Sequence, residues 1–211
     1  MAKIAQGILG PVSGKVGNVV GGTWKGVDYV RGYIIPANPK STAQTATREK
    51  FAEIVRLTKS CLASIMRSYY SGIISGQPTT AYARNIQWNM NKMSAKDDYE
   101  NFSLETQNGC WISDVDSSLS ANVITATWSV ETGTYGSAVP KFILIEPTAS
   151  CPTKIVTAPG NLEDESATIS IAGYETGKTV YAVLLLEHTD GVTGVKTYSG
   201  SINLGGFTVT P

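Results

Sequence analysis

The sequence predicts an α+β chain, in which a Gly-rich arm, a β-hairpin and a long αα-hairpin precede an immunoglobulin-like antiparallel β-sandwich. Three observations predict this fold class: six glycines within residues 1–22, apolar residues at helical spacing after residue 51, and short strand-like runs after residue 102. The expected boundaries are 1–40 for the arm and hairpin, 41–98 for the helical hairpin and 99–211 for the sandwich.

The first 22 residues combine their six glycines with Pro11 and seven Ile, Leu and Val side chains. So many glycines leave the segment too loose to form a core alone, because each glycine loses much conformational freedom on folding. The segment is also too apolar for a solvated linker. We therefore expect an arm that becomes ordered by lying on another surface.

A β-hairpin or short strand pair is predicted around Lys25-Gly26. Aromatic and branched side chains flank that dipeptide, which is typical of a tight turn between strands: Trp24, Tyr29, Val30, Tyr33, Ile34 and Ile35. Pro36 and Pro39 are expected to end it.

Two helices are predicted next. Ser41 or Thr42 is expected to begin a long helix, whose apolar residues recur in steps of three and four from Phe51 onward. Gly72 and the sequence at 76–78 end this helix. A second helix over 80–93 completes the αα-hairpin.

From residue 102 the pattern changes to short runs separated by turn residues. More than six short strands in about 100 residues favour an immunoglobulin-like or fibronectin-like sandwich. The run 179–189 is almost wholly apolar, which predicts a central strand buried on both faces. The predicted strands are 102–106, 109–113, 122–130, 140–147, 153–157, 167–172, 179–189, 195–203 and 206–210.

Charge divides the chain into two halves. Residues 1–96 carry 13 Lys and Arg against 3 acids, a net +10, whereas residues 97–211 carry 4 Lys against 14 acids, a net −10. This asymmetry fits attraction between copies, a basic half facing nucleic acid, or two halves that neutralise each other within one molecule. Only 16% of residues are charged, against roughly 25% in average soluble domains, which fits either a surface covered by neighbours or an ordinary β-rich domain.

The motifs of common active sites are incomplete. The sequence Gly173-Tyr-Glu-Thr-Gly-Lys-Thr179 is one residue short of a phosphate-binding loop and precedes a strand, so it predicts a hairpin turn. His188, the single histidine, lies at a strand end. The carboxylate groups at 97–98, 114–116 and 163–165 fall in predicted polar loops. Calcium at 114–116 or at 161–165 is an alternative, although neither segment matches an EF-hand loop. We therefore expect no enzyme, cofactor or metal.

Three cysteines, Cys61, Cys110 and Cys151, lack the spacing of a zinc site. Cys61 is expected to be a buried free thiol on the long helix. A Cys110–Cys151 bridge is the open alternative for the other two. The first residues have no apolar run of secretory-signal length and no stretch is long enough to span a membrane, so we expect synthesis in the cytoplasm.

The N-terminal motifs resemble an uncharacterised family found in bacteria, in many divergent copies, and in phage genomes. The resemblance covers residues 7–51 and consists of a series of short motifs in a fixed order: Gly14-Lys-Val-Gly17, Trp24-Lys-Gly26, Val30-Arg31, Asn38-Pro39 followed by Gln44, and Arg48 followed by Phe51. It implies a small multi-copy protein with a sandwich-like C-terminal part.

These observations predict a structural protein of a phage-type particle, associated with its capsid or tail. Its partners would be copies of itself and other particle proteins, and it would reside in the virion. Aromatic residues and arginine dominate interface cores, so the expected anchors are Trp24, Tyr29, Arg31, Tyr33, Val19 and Val20.

Two other functions remain open. The sandwich is alternatively a module that binds a carbohydrate or a cell-surface protein through its loops. The aromatic and basic residues between Trp24 and Tyr33 alternatively stack and neutralise single-stranded nucleic acid.

Overall fold

A computed structural model of the chain describes residues 3–4, 12–35, 37–38, 40–71, 74–76, 78–105, 111–131, 135–148 and 152–211. The chain divides into two compact units, Met1–Ser41 and Thr42–Pro211. Cys110 and Cys151 lie outside the described residues, as do Pro36, Pro39 and Gly72.

The first unit is a four-stranded antiparallel sheet in the order β1-β2-β3-β4. Its strands are β1 Lys3–Ile4, β2 Val12–Val16, β3 Val19–Trp24 and β4 Val27–Gly32. The predicted hairpin is confirmed, with Lys25 and Gly26 both at positive φ in the turn. Most of residues 12–22, expected to form a loose arm, instead form strands, because branched valines flank a second two-residue turn at Gly17-Asn18.

The second unit begins with the two predicted helices. A continuous helical run consists of α1 Thr42–Cys61, a π-helical turn Leu62–Met66 and α2 Arg67–Tyr70, and α3 spans Ala81–Lys92. The side chain of Thr80 accepts a hydrogen bond of 3.2 Å from the backbone N–H of Ala83 and thereby caps α3. As expected, Cys61 is buried, and its thiol donates to the carbonyl of Leu57 at 3.2 Å.

The π-helical turn explains how adjacent residues are buried together. Ile65, Met66, Tyr69 and Tyr70 are all buried in one apolar cluster. A π turn places an extra residue in the helix, so the apolar face widens by one position.

Lys50 holds α3 in place, since its ammonium donates to the carbonyls of Met90 and Met93 at the C-terminal end of α3, each at 3.1 Å.

Eight antiparallel strands in two sheets follow within the described residues. One sheet has the order β5-β6-β9, and the other has the order β11-β10-β7-β8 with β12 also paired to β10. The strands are β5 Ile112–Ser120, β6 Val123–Val130, β7 Val139–Ile145, β8 Thr153–Thr157, β9 Ser166–Ser170, β10 Thr179–Thr189, β11 Lys196–Tyr198 and β12 Ile202–Thr208.

Strand β10 separates two hydrophobic cores. Its residues Ala182, Leu184 and Leu186 share a core with residues of the three-stranded sheet, including Ile124 and Trp128. The alternate residues Val183 and Leu185 belong to the core formed by the helices. The five-stranded sheet is therefore covered by the other sheet on one face and by the helices on the opposite face. The mixed α+β class with antiparallel sheets is confirmed.

The predicted strand 102–106 is wrong over the described residues 102–105, which belong to no strand. Side chains satisfy the backbone there instead. The hydroxyl of Ser201 accepts from the N–H of Leu104 at 2.7 Å and donates to its carbonyl at 3.0 Å. On the other side, Asn89 accepts from the N–H of Ser103 at 3.1 Å. We call residues 99–105 the strap, because side chains from several elements hold it in place of a neighbouring strand.

The remaining differences have local causes. Strand β5 reaches Ser120, beyond the predicted 109–113, because Val115 and Leu119 pack on the core from among serines and aspartates. It includes Asp114 and Asp116, expected in a loop, and Asp114 adopts a φ of 48° where the register shifts by a bulge.

The predicted strands 195–203 and 206–210 are replaced by β11 and β12, since the hydroxyl of Ser199 accepts from the N–H of Leu186 at 2.9 Å and interrupts the ladder.

The sequence at 173–179 forms a turn, but the predicted hairpin is wrong. Strand β9 pairs with β6 and β10 pairs with β7, so this turn connects the two sheets. Among the described residues, no helix is long and apolar enough to cross a membrane.

A buried polar network joins the helices. Asn85, fully buried, accepts from the hydroxyl of Tyr70 at 3.0 Å and donates to the hydroxyl of Thr58 at 2.9 Å. Asn89 donates to the carbonyl of Ser103 at 2.9 Å and so attaches the strap to α3. Buried polar groups that are fully paired specify one arrangement of the elements they connect.

We expect Asn85→Ala to destabilise the chain by about 2–3 kcal/mol, because it leaves the hydroxyls of Tyr70 and Thr58 buried without these partners. Urea unfolding monitored by circular dichroism measures the loss. Asn91→Ala, on the exposed side of the same helix, is the matched control and should change stability by less than about 0.5 kcal/mol. Equal effects of the two substitutions would contradict the role given to the network.

Candidate interaction surface

The register of the N-terminal sheet decides which side chains share a face. Trp24 lies opposite Val27, Gly22 opposite Tyr29, and Val20 opposite both Arg31 and Lys15. Residues directly opposite each other point to the same side, and successive residues alternate. One side, which we call the aromatic face, therefore consists of Lys15, Val20, Trp24, Val27, Tyr29 and Arg31.

The aromatic face is open to solvent. Trp24 is 69% exposed and Val27 is 67% exposed. Gly22 permits one close contact, because a Cβ atom there would lie 3.0 Å from the hydroxyl of Tyr29. The Tyr29 ring thus lies across the glycine, and the face presents a broad surface of ring carbons.

Cations accompany these rings. The ammonium of Lys15 lies 3.6 Å from the centre of the Tyr33 ring, just beyond β4, and that of Lys25 lies 5.7 Å from the centre of a Trp24 ring. Both contacts are within cation–π distance. The face therefore combines apolar area with positive charge.

The opposite side, which we call the aliphatic face, carries Val16, Val19 and Val30. Val16 lies opposite Val19, while Gly21, opposite Val30, lacks a side chain. Of the described residues 12–35, only Gly21 is buried. Among the described residues 12–35, neither face has buried side chains comparable to the hydrophobic cores of the second unit.

The structure divides the six residues predicted as anchors. Trp24, Tyr29, Arg31 and Val20 share the aromatic face, and the Tyr33 ring contacts Lys15 of that face. Val19 lies on the aliphatic face. The sequence reasoning missed Val16 and Val27, although the two-residue turn at Lys25-Gly26 pairs positions on either side of it and so indicates that Val27 lies beside Trp24.

In the second unit, the predicted turn residue His188 lies near the end of β10. Its Nδ1 is 3.3 Å from the hydroxyl of Ser137, and its ring is 5.3 Å from the ring of Tyr135. No group of three or more His, Cys, Asp or Glu side chains suited to a metal ion occurs in the part of the chain that the structure describes.

The preceding residue, Glu187, is the centre of a charged cluster. It is buried, and its Oε1 accepts from Lys196 at 2.9 Å and lies 3.1 Å from the ammonium of Lys141. Burial alone would raise the pKa of Glu187, but hydrogen bonds from Lys196, Tyr198 and Lys141 lower this pKa below its ordinary value. The pKa of the Tyr198 phenol is raised, first by burial and then by its hydrogen bond to Glu187. The cluster thus holds a carboxylate ionised between two cations.

A small cleft lies at the ends of the sheets of the second unit. It has a volume of about 270 Å³ and is lined by Glu146, Pro152, Lys154, Ser170, Gly173 and Tyr174. The hydroxyl of Tyr174 is buried and has no hydrogen-bond partner among the described residues.

A family of unknown function, DUF6266, matches residues 11–200. No curated protein matches the chain. Membership of an uncharacterised family, which the N-terminal motifs indicated, is thereby confirmed, while its occurrence in bacteria and phages stays a prediction.

We expect Glu187→Gln to destabilise the chain by about 1–3 kcal/mol at neutral pH, because two ammonium groups then lack their anionic partner. Since the folded-state pKa of Glu187 is lowered, its stabilising contribution is complete above the ordinary carboxyl pKa of 4.5 and is lost as the pH falls below it. The difference between the wild type and the variant should therefore shrink as the pH is lowered to about 3. Urea unfolding over this pH range tests it.

Glu175→Gln, in the exposed turn before β10, is the control and should follow the wild type throughout. A difference in the free energy of unfolding between Glu187→Gln and the wild type that is the same at every pH would show that the carboxylate does not stabilise the fold through its charge.

Proposed function

The chain belongs to the family DUF6266, and we propose that it is a non-enzymatic structural subunit of a phage-type particle, assembled through its N-terminal sheet. We propose that the subunit belongs to the capsid or the tail, and this part of the proposal rests on the motif resemblance in the sequence. In the virion, the partners of the subunit are copies of itself and other particle proteins.

One observation carries the proposal: in its described residues 12–35, the N-terminal sheet exposes large apolar side chains on both faces and buries only Gly21. Two-sided sheets are stable when both faces are covered. The exposed set is Val16, Val19, Trp24, Val27, Tyr29, Val30, Tyr33, Ile34 and Ile35. Apolar groups gathered in this way mark a surface that associates with another molecule.

The composition of the aromatic face supports a protein partner. Trp, Tyr and Arg are the residue types that contribute most to interface free energies, and Trp24, Tyr29 and Arg31 stand together there. The net charges of +10 on residues 1–96 and −10 on residues 97–211 add an attraction between copies.

The second unit supplies the rigid body in this proposal. We take the two sheets that share the core of Trp128 and Leu184 as the immunoglobulin-like sandwich, with the helices as an additional layer. Its two hydrophobic cores lie entirely within residues 42–211. This unit therefore carries the apolar contacts needed to fold without the N-terminal sheet.

A second candidate function is recognition of a carbohydrate by the cleft of the second unit. The observation that favours it is the buried hydroxyl of Tyr174 beside Glu146 and Lys154, which has no hydrogen-bond partner in the described part of the chain. Convergent polar groups in a small concavity orient such ligands.

A third candidate function is binding of single-stranded nucleic acid on the aromatic face. It is favoured by Lys15 and Arg31, which lie beside the exposed rings.

We expect Trp24→Ser combined with Val27→Ser to abolish assembly of the full chain, because both substitutions remove apolar area from the aromatic face. Sedimentation velocity over a range of protein and salt concentrations, with electron micrographs of the products, measures assembly. The variant should stay a folded monomer, and so should residues 42–211 alone.

The matched control is Val192→Ser with Val195→Ser, which alters two exposed valines outside the N-terminal sheet and should assemble like the wild type. Assembly of the truncated chain 42–211 would reject the proposal. A steeply salt-dependent retention of single-stranded DNA, lost with Lys15→Gln and Arg31→Gln, would favour nucleic acid instead.

For the carbohydrate reading, we expect binding of the full chain on a glycan array to fall at least about tenfold with Lys154→Ala, since a charged hydrogen bond to a ligand contributes about this much. Lys178→Ala, four positions after Tyr174 and outside the lining residues, is the control. An array without any bound glycan would remove this candidate.

A further inference from the structure

Strand β4 has one unpaired edge. Of the described strands it pairs with β3 alone. Two observations show which residues of β4 are hydrogen-bonded to β3. One is the two-residue turn after Trp24, and the other is the bond of 2.7 Å that the N–H of Tyr33 donates to the carbonyl of Asn18. In an antiparallel ladder such pairs alternate, so the N–H and C=O groups of Asp28, Val30 and Gly32 point away from β3.

This edge has few of the usual protections. All six residues of β4 are exposed, and the strand contains neither Pro nor Lys. By contrast, the edge strand β8 of the second unit is covered by α1, where the hydroxyls of Ser60 and Thr153 form a hydrogen bond. An exposed edge without protection is a template for another strand.

We propose that β4 pairs antiparallel with β4 of a second copy, about a two-fold axis at which Val30 faces Val30 of that copy. This inference rests on the proposed function and names the partner and the register of the assembly contact. Because the strand meets itself, every outward donor on one copy meets an outward acceptor on the other. The two N-terminal sheets then become one continuous sheet.

The side chains favour this register over its neighbours. With Val30 at the axis, Tyr29 lies opposite Arg31 of the second copy, a cation–π pair, and Asp28 lies opposite Gly32. A register centred on Asp28 would instead place two carboxylates directly opposite each other, which is destabilising. A register centred on Tyr29 would place the Asp28 carboxylate against Val30 and Arg31 against Val27.

The contact is small for a lone dimer. A six-residue edge buries less than the roughly 1,200 Å² typical of stable interfaces. We therefore expect reversible association that depends on concentration, and many such contacts in a particle would reinforce one another.

Charge substitutions at the axis test the pairing in the full-length chain. Val30→Lys and Val30→Glu each place two like charges opposite each other, and each should weaken self-association by about tenfold. Mixing the two variants places opposite charges across the axis and should restore association. Val30 is 61% exposed, so neither substitution opens a cavity. Sedimentation equilibrium of each variant and of the mixture measures the effect, with Val192→Lys and Val192→Glu as controls.

The outcomes separate this inference from the proposed function. Weakening by both variants with recovery in the mixture supports the pairing. Weakening without recovery overturns it, because the two Val30 residues then do not face each other across the contact. The inference is also overturned if both Val30 variants associate like the wild type. In that case the proposed function stands if Trp24→Ser with Val27→Ser still abolishes assembly. It fails if that double variant assembles as well.

Discussion

Burial of strand β10 on both faces is the constraint that the second unit is built around. Residues 182–187 form an unbroken buried run, so a single covering layer would leave every second side chain in water. The three-stranded sheet covers Ala182, Leu184 and Leu186, and the helices cover Val183 and Leu185. The helices come first in the chain and the strands later. This order allows β10 to lie between β7 and β12, which both pair directly with it.

Polar groups determine how the layers join. Asn89 attaches the strap to α3. The hydroxyl of Tyr69 donates to the carbonyl of Glu105 in the strap at 2.8 Å and lies 3.2 Å from the carbonyl of Ser199, so Tyr69 links α2 to both the strap and the strands. Apolar contacts alone would permit the layers to slide, whereas these bonds have fixed geometry. Among the described residues 12–35 of the N-terminal sheet, only Gly21 is buried, which is why its surface is the one we assign to assembly.

Elements with a strong local pattern were predictable from the sequence. The helices and the strands Thr153–Thr157 and Thr179–Thr189 agree with their predicted bounds, because apolar spacing and turn residues specify them locally. The strap and the break at Ser199 were not predictable, since their backbones are satisfied by residues distant in the sequence. For the candidate surface, the aromatic residues were identified by type, but their division between two faces depends on strand register, which sequence alone left unassigned.

The strap also bears on the order of folding. Leu104 and Ser201 are 97 positions apart, and Phe102 accepts a hydrogen bond from Asn203 across a similar separation. Closing so long a loop is entropically costly and slow. The bonds from the strap to Ser201 and Asn203 can form only after the last strand has reached the helical layer, so a nascent chain that has not yet reached Ser201 would lack the bonds that fasten the strap to this strand.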